Sequence, residues 1–303
     1  MSDLFVLREV PDAQEIHMIA GWHQWADAGS VSSGLPPYLV ELTHARRIGE
    51  IKPTGFYMFQ IPRAHDLLRP KIALDDGYRK HLETKRNEFF YAGDEQKGLV
   101  LFLGEEPHLN VERYVEAFLD AAVELGVKRV VTVGGVHAPV PYDRDRQVSC
   151  AYSLPSLRAE LEKYAVQFSD YEGGSSIGTY LIHRAEHRGI ELVSFYVLVP
   201  FYDFMHISIR FAGIQLEEDF KAWYDLLRRF SHMFGLGLDL TSLEGKSRQL
   251  LAIVDAQIYE LDEEMPELQV REQIAEMTAG FEETSFMPLS DVWGRELKDL
   301  FED

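Results

Sequence analysis

Between residues 99 and 133 the sequence alternates in a way that few architectures accept. Leu99–Leu103 is a short apolar run and Val130–Val133 is a β-branched one. Between them, Val111–Leu125 sets Val111, Tyr114, Val115, Phe118, Leu119 and Ala122 on one stripe. A helical period between two strand-like runs reads as a strand–helix–strand crossover, and such crossovers join parallel strands. Asn110 suits the N-cap of that helix and Gly126 the position just past its end. Further strands are expected at Ile16–Ala20, Phe56–Ile61 and Leu192–Val199. Helices are expected at Leu154–Tyr164 and at Ile177–Arg188, the second ending on Gly189. Repetition of this alternation predicts an α/β fold in three layers, α/β/α, with helices on both faces of the sheet.

After about Phe211 the pattern changes. Leu216–Phe234, Lys246–Leu261 and Val270–Phe281 are helical, with a break near Met265-Pro266, and no strand is expected there. The domain reading is therefore an α/β/α core over residues 1–215 and an acidic helical C-terminal region over residues 216–303. With 303 residues, 46% of them hydrophobic, the chain is long enough for one large core.

The net charge is −20, a field that repels phosphate backbones and anionic lipid, so neither nucleic acid nor membrane is an expected partner. From Asp255 to Glu283 there are ten acidic residues and one basic one, Arg271. That run reads as a solvated helical face or as a docking surface for a basic partner. No apolar run approaches the roughly 20 residues that span a bilayer, and residues 1–15 lack a secretory pattern. Cys150 is the only cysteine, which excludes an intrachain disulfide and a thiolate zinc cluster. A cytoplasmic location is expected.

Ligands of parallel sheets bind beyond the carboxyl ends of the strands. Here those ends lead into Gly21–Gly29, Gly104–His108 and Gly134–Arg144, and Tyr171–Ser176 precedes a helix. The sequence has neither G-x-G-x-x-G nor G-x-x-x-x-G-K-[ST], so no nucleotide cofactor is expected. Gly173-Gly174-Ser175-Ser176 could offer N–H groups to an anion. The favoured reading is a glycine turn with a serine N-cap. His183-Arg184-Ala185-Glu186-His187 fits H-x-x-E-H, in which two histidines one turn apart hold zinc. The segment closes a crossover helix, where histidines also complement the helix dipole, so no metal is assigned to His183 and His187. No nucleophile is assigned either, because Cys150 has no Cys–His context and Glu105-Glu106 reads as a solvated pair.

At these same loops the chain resembles the proteasome assembly chaperone 2 family, in its bacterial branch. The resemblance rests on Gly21-Trp22, Asp27-Ala28-Gly29, Gly104-Glu105-Glu106-Pro107, Gly126-Val127 and Gly134-Gly135. It continues through Pro141–Arg144, Tyr171-Glu172-Gly173 and Val199-Pro200 with Tyr202, in order across roughly residues 15 to 215. It implies an α/β/α sandwich similar to the phosphorylase/hydrolase-like group, self-association with a trimer among the forms, and an ATP-independent chaperone or scaffold role. Two departures stand out. Family members that chaperone proteasomes often end in hydrophobic–Tyr–any residue, whereas this sequence ends Leu300-Phe301-Glu302-Asp303. Tyr142 and Phe201 also stand where relatives often carry histidine.

Three functions follow as expectations. The favoured one is a non-enzymatic oligomeric scaffold or assembly chaperone. The second is a small-ligand binder or a hydrolase/phosphorylase-like enzyme, with Asp27, Glu106, His137, Arg144 and Glu172 as the candidate pocket. There Arg144 would suit a planar or anionic group and Glu172 a hydroxyl or amine. The third is a zinc hydrolase on His183 and His187.

Overall fold

A strand buried at every position from Ile16 to Trp22 has no solvent face, so it must be covered on both sides. The computed structural model, which describes residues 4–60, 69–204 and 213–286, supplies that cover. Strands β1 (Phe5–Leu7) and β2 (Glu15–His23) lead through a 3-10 turn at Ala28–Ser30 into α1 (Val31–Leu42). Next come β3 (Arg46–Ile51), the hairpin of β4 (Ile72–Asp75) and β5 (Tyr78–Leu82), then β6 (Glu88–Gly93) and β7 (Lys97–Glu105). Helix α2 (Val111–Glu124), β8 (Val127–Ala138), β9 (Val148–Tyr152), the short α3 (Arg158–Leu161) and β10 (Gln167–Phe168) follow. The chain continues through α4 (Ile177–Arg188), β11 (Glu191–Asp203), β12 (Gly213–Gln215), α5 (Phe220–Phe234), α6 (Thr241–Glu264) and α7 (Val270–Met277).

Ten strands form one mixed sheet in the order β1-β3-β6-β7-β2-β8-β11-β9-β10, with β12 added on β11. Its centre, β7-β2-β8-β11, is parallel throughout. Antiparallel pairs extend it on both sides, through β6, β3 and β1 on one and through β9 on the other. Alternate residues of the central strands feed two separate cores. Ile19, Leu101, Val131 and Val133 pack with side chains of α1, α5, α6 and α7. Met18, Ala20, Val100, Phe102 and Val130 pack with those of α2 and α4. The expected α/β class is what the chain adopts.

Several expectations need correction. Phe56–Ile61 is not a strand over its described part. Residues 54–56 form a turn, Gly55 has φ +87°, and buried Phe56 meets Tyr114 edge-on. Ile61 lies outside the described residues. Leu154–Tyr164 is broken into α3 between two 3-10 turns, because Pro155 opens it and Ala165 at φ +50° ends it. A strand does occur after Phe211: β12 pairs with the end of β11.

Helix α1 is absent from the sequence reading because Pro36-Pro37 sits inside it. Proline removes a helical N–H and pushes on the carbonyl four residues back, here that of Ser32. Strand β2 accommodates this with Gly21, where an added Cβ would lie 2.0 Å from that carbonyl oxygen.

Candidate functional site

Beyond the carboxyl ends of β2 and β8, a cavity of about 960 Å³ opens between the 24–30 loop, the start of α4 and residues 215–217. Its place follows from backbone contact. Gly135 of β8 donates its N–H to the Ala26 carbonyl at 3.0 Å, and Asp27 bridges to Gly135. A Cβ on Gly135 would stand 1.9 Å from the Ala28 oxygen, so only glycine lets the loop cross the strand this closely.

Of the five candidate pocket residues, Asp27 and His137 line the cavity. The Asp27 carboxylate accepts the N–H groups of Ser32 and Ser33 at 2.8 and 2.9 Å, closing the first turn of α1. Burial raises its pKa above the usual carboxylate range, against those hydrogen bonds. His137 stacks on Phe201, with centroids 5.1 Å apart, and burial lowers its pKa. Glu106 stands outside the lining and works as a strap. One oxygen accepts from the Trp25 N–H at 3.2 Å and the other from the Ile177 N–H at 3.0 Å, joining the 24–30 loop to α4. Arg144 is exposed and faces Asp143 and Glu283. Glu172 is exposed and is not a lining residue. The five therefore do not converge on one reacting centre.

Other lining residues carry weaker sequence signals. Tyr196 lies within a strand read as plain core, yet its hydroxyl reaches Ser176 Oγ at 2.7 Å. Glu217 falls in a segment read as helix, but α5 begins only at Phe220. Residues Gly174–Gly178 also have the G-x-S-x-G spacing of a nucleophile elbow. The structure gives Ser176 the N-cap role instead, accepting from Thr179 N at 3.3 Å with extended backbone. Its hydroxyl bonds to Tyr196, and no histidine is bonded to it among the described residues. Gly178 is needed for packing, since a Cβ there would lie 2.9 Å from both Thr132 Oγ1 and the Tyr196 hydroxyl.

His183, Glu186 and His187 sit together at the other end of α4, all exposed, with one donor atom of each within 4.8 Å of the others. His187 Nδ1 is 2.7 Å from the His183 carbonyl oxygen, which leaves its Nε2 outward. Among the described residues no fourth histidine, cysteine or carboxylate joins them.

Directly behind the 27–30 turn lies a second set of charges, with Arg146, Asp219 and Asp225 fully buried and Lys221 and Asp145 at its edge. Arg146 Nε donates to Asp219 at 2.7 Å with both side chains at 0% exposure. Arg146 Nη1 donates to the Tyr142 carbonyl at 2.8 Å. Asp219 caps α5 through the Ala222 N–H, and its own N–H donates to the Gly29 carbonyl at 2.9 Å. Lys221 pairs with Asp225 at 2.6 Å and also with Asp145. The cluster thus fixes α5 and the loop that carries Asp27.

The PAC2 family model matches residues 21–258, a span that covers the cavity loops, β8, α4 and most of α6. The chain belongs to the PAC2 family. A PAC2 family protein from Streptomyces avermitilis is 26% identical, with a TM-score of 0.67 over 80% of this chain and 95% of that one. A Mycobacterium tuberculosis proteasome-assembly chaperone homologue is 23% identical, with a TM-score of 0.66 over 80% of this chain and 94% of that one. A Corynebacterium glutamicum protein of unknown function is 17% identical, with a TM-score of 0.69 over 98% of this chain and 99% of that one. No curated protein matches. Among the described residues of this PAC2 chain, no helix is long and apolar enough to cross a membrane.

Proposed function

We propose that this PAC2 chain is a non-enzymatic, cytoplasmic assembly chaperone or scaffold that works by protein–protein contact and self-associates, with a trimer among the forms open to it. The observation that carries this reading is the β4–β5 hairpin. Every residue from Arg69 to Thr84 is exposed. Register and alternation put Ile72, Leu74 and Leu82 on one face, with Ile72 57% and Leu74 61% exposed. A lone two-stranded hairpin is marginal in water, and an uncovered apolar face marks a contact surface.

A second copy of the chain is the partner that fits. Lys71, Arg79, Lys80 and Arg86 form no ion pair among the described residues, while Asp255–Glu283 offers ten carboxylates to one arginine. The relative from Mycobacterium tuberculosis, described as a proteasome-assembly chaperone homologue, supports a role in protein assembly. So does the split of the candidate residues between helix capping, strapping and solvent. The C-terminal Leu300–Asp303 lies outside the described residues.

Sedimentation equilibrium of the full chain and of Leu74→Glu tests this. The expected result is an oligomer that dissociates in the variant and weakens with salt. A wild-type chain that stays monomeric at high micromolar concentration would overturn it.

A further inference from the structure

The cavity has a charge character that selects its ligand. Among the described residues no lysine or arginine lines it; Asp27 and Glu217 do. The two helix N-termini beside it, α1 and α4, are the usual seats for an anion. Both are already occupied by carboxylates, Asp27 on the Ser32 and Ser33 N–H groups and Glu106 on the Ile177 N–H. His137, with its pKa lowered by burial, adds no cation at neutral pH. An anionic ligand would meet the negative charge of Asp27 and Glu217.

Asp27 itself is half-buried with no lysine or arginine within ion-pair distance among the described residues. A charge removed from water is costly unless it is paired. The cavity mouth supplies the other half of a cation site. Trp25 is 71% exposed and Tyr171 63% exposed. The two rings flank Gly174: the Trp25 ring lies 3.5 Å from the place of a Cβ there, and the Tyr171 hydroxyl donates to its carbonyl at 3.3 Å. Exposed aromatic rings at the rim of a cavity that a carboxylate also lines favour a cation that carries apolar surface. Leu198, Val136 and Leu216 provide apolar wall for its body, within a volume suited to a small molecule.

We infer that this cavity binds a small organic cation, an ammonium group on an apolar body, with the ammonium drawn to Asp27 and the aromatic rim of Trp25 and Tyr171 and the body against Val136, Leu198 and Leu216. The inference is independent of the hairpin contact, which lies on other residues.

Isothermal titration calorimetry at pH 7 with three matched probes tests it: 2-phenylethylammonium, 2-phenylethanol and phenylacetate. The ammonium is expected to bind, the alcohol more weakly, and phenylacetate not at all. Asp27→Asn keeps a carbonyl oxygen for the Ser32 and Ser33 N–H groups and should weaken the ammonium about tenfold or more. Trp25→Ala, on an exposed side chain that leaves the fold alone, should weaken it several-fold and keeps the test open if Asp27→Asn does not fold. Phenylacetate binding as tightly as the ammonium would overturn the inference. So would no detectable ammonium binding up to millimolar concentration, or full affinity in both variants.

Discussion

Two sets of carboxylates lie on either side of the Gly29 backbone, and the fold treats them in opposite ways. Asp219 and Asp225 are buried with cations in place: Arg146 on the first, Lys221 on the second. Asp27, two residues before Gly29, is half-buried against the N–H groups of Ser32 and Ser33 and the Ser33 side chain, with no lysine or arginine in ion-pair distance among the described residues. The first set spends its charge on holding α5 against the sheet. The second keeps a carboxylate at a cavity with no lysine or arginine paired to it among the described residues. Charge that is internally paired is structural; charge left for an outside partner is where binding is to be sought.

The comparison can be broken most sharply at Arg146. Arg146→Met leaves Asp219 buried and uncompensated, so urea unfolding should show a loss of about 3–5 kcal/mol. A loss below about 1 kcal/mol would remove the structural role from this cluster. Gly135→Ala should cost about 1–3 kcal/mol, because the new methyl meets the Ala28 backbone oxygen and not a flexible side chain. Its cavity should change shape as well, seen as altered Trp25 fluorescence.

A third prediction concerns acid. His17 is stacked on Phe234 at 4.2 Å, and burial lowers its pKa from the ordinary 6.5, although Glu15 pulls the other way. The unfolded chain then takes up a proton near pH 6.5 that the folded site refuses. Stability should therefore fall as pH drops below 6.5 towards the lower folded value, and His17→Phe should flatten that limb in pH-dependent urea melts. The smallest effect is expected at Asp27. Asp27→Asn retains the cap on α1 and should change stability by less than about 1 kcal/mol. A large loss there would place Asp27 with the structural set.

Much of this architecture was legible from local pattern. Central strands β2, β7, β8 and β11 are continuous apolar runs, and α2 and α4 carry a helical stripe with clear ends. What escaped depends on tertiary contact. Helix α1 holds two prolines that only Gly21 on a neighbouring strand makes tolerable. Outer strands such as β3, with its arginines paired to Glu9, Glu50 and Glu88, lack an apolar signature. At the site, glycine-bearing loops pointed to the right end of the sheet. Yet side-chain identity could not separate a lining residue such as Asp27 from a strap such as Glu106 or a solvated group such as Arg144. Tyr196 and Glu217 gave no local sign at all, since one reaches the cavity through the register of a strand and the other from the loop between β12 and α5.

The central distinction is most directly tested by carbon-detected NMR titration of the Asp27 carboxyl, with and without 2-phenylethylammonium. The expected midpoint lies above the ordinary 3.8 in the free protein, because burial outweighs the hydrogen bonds from Ser32 and Ser33 and the nearby His23, and it should shift downward when the ammonium binds. A midpoint at or below 3.8 that the probe does not move would contradict it.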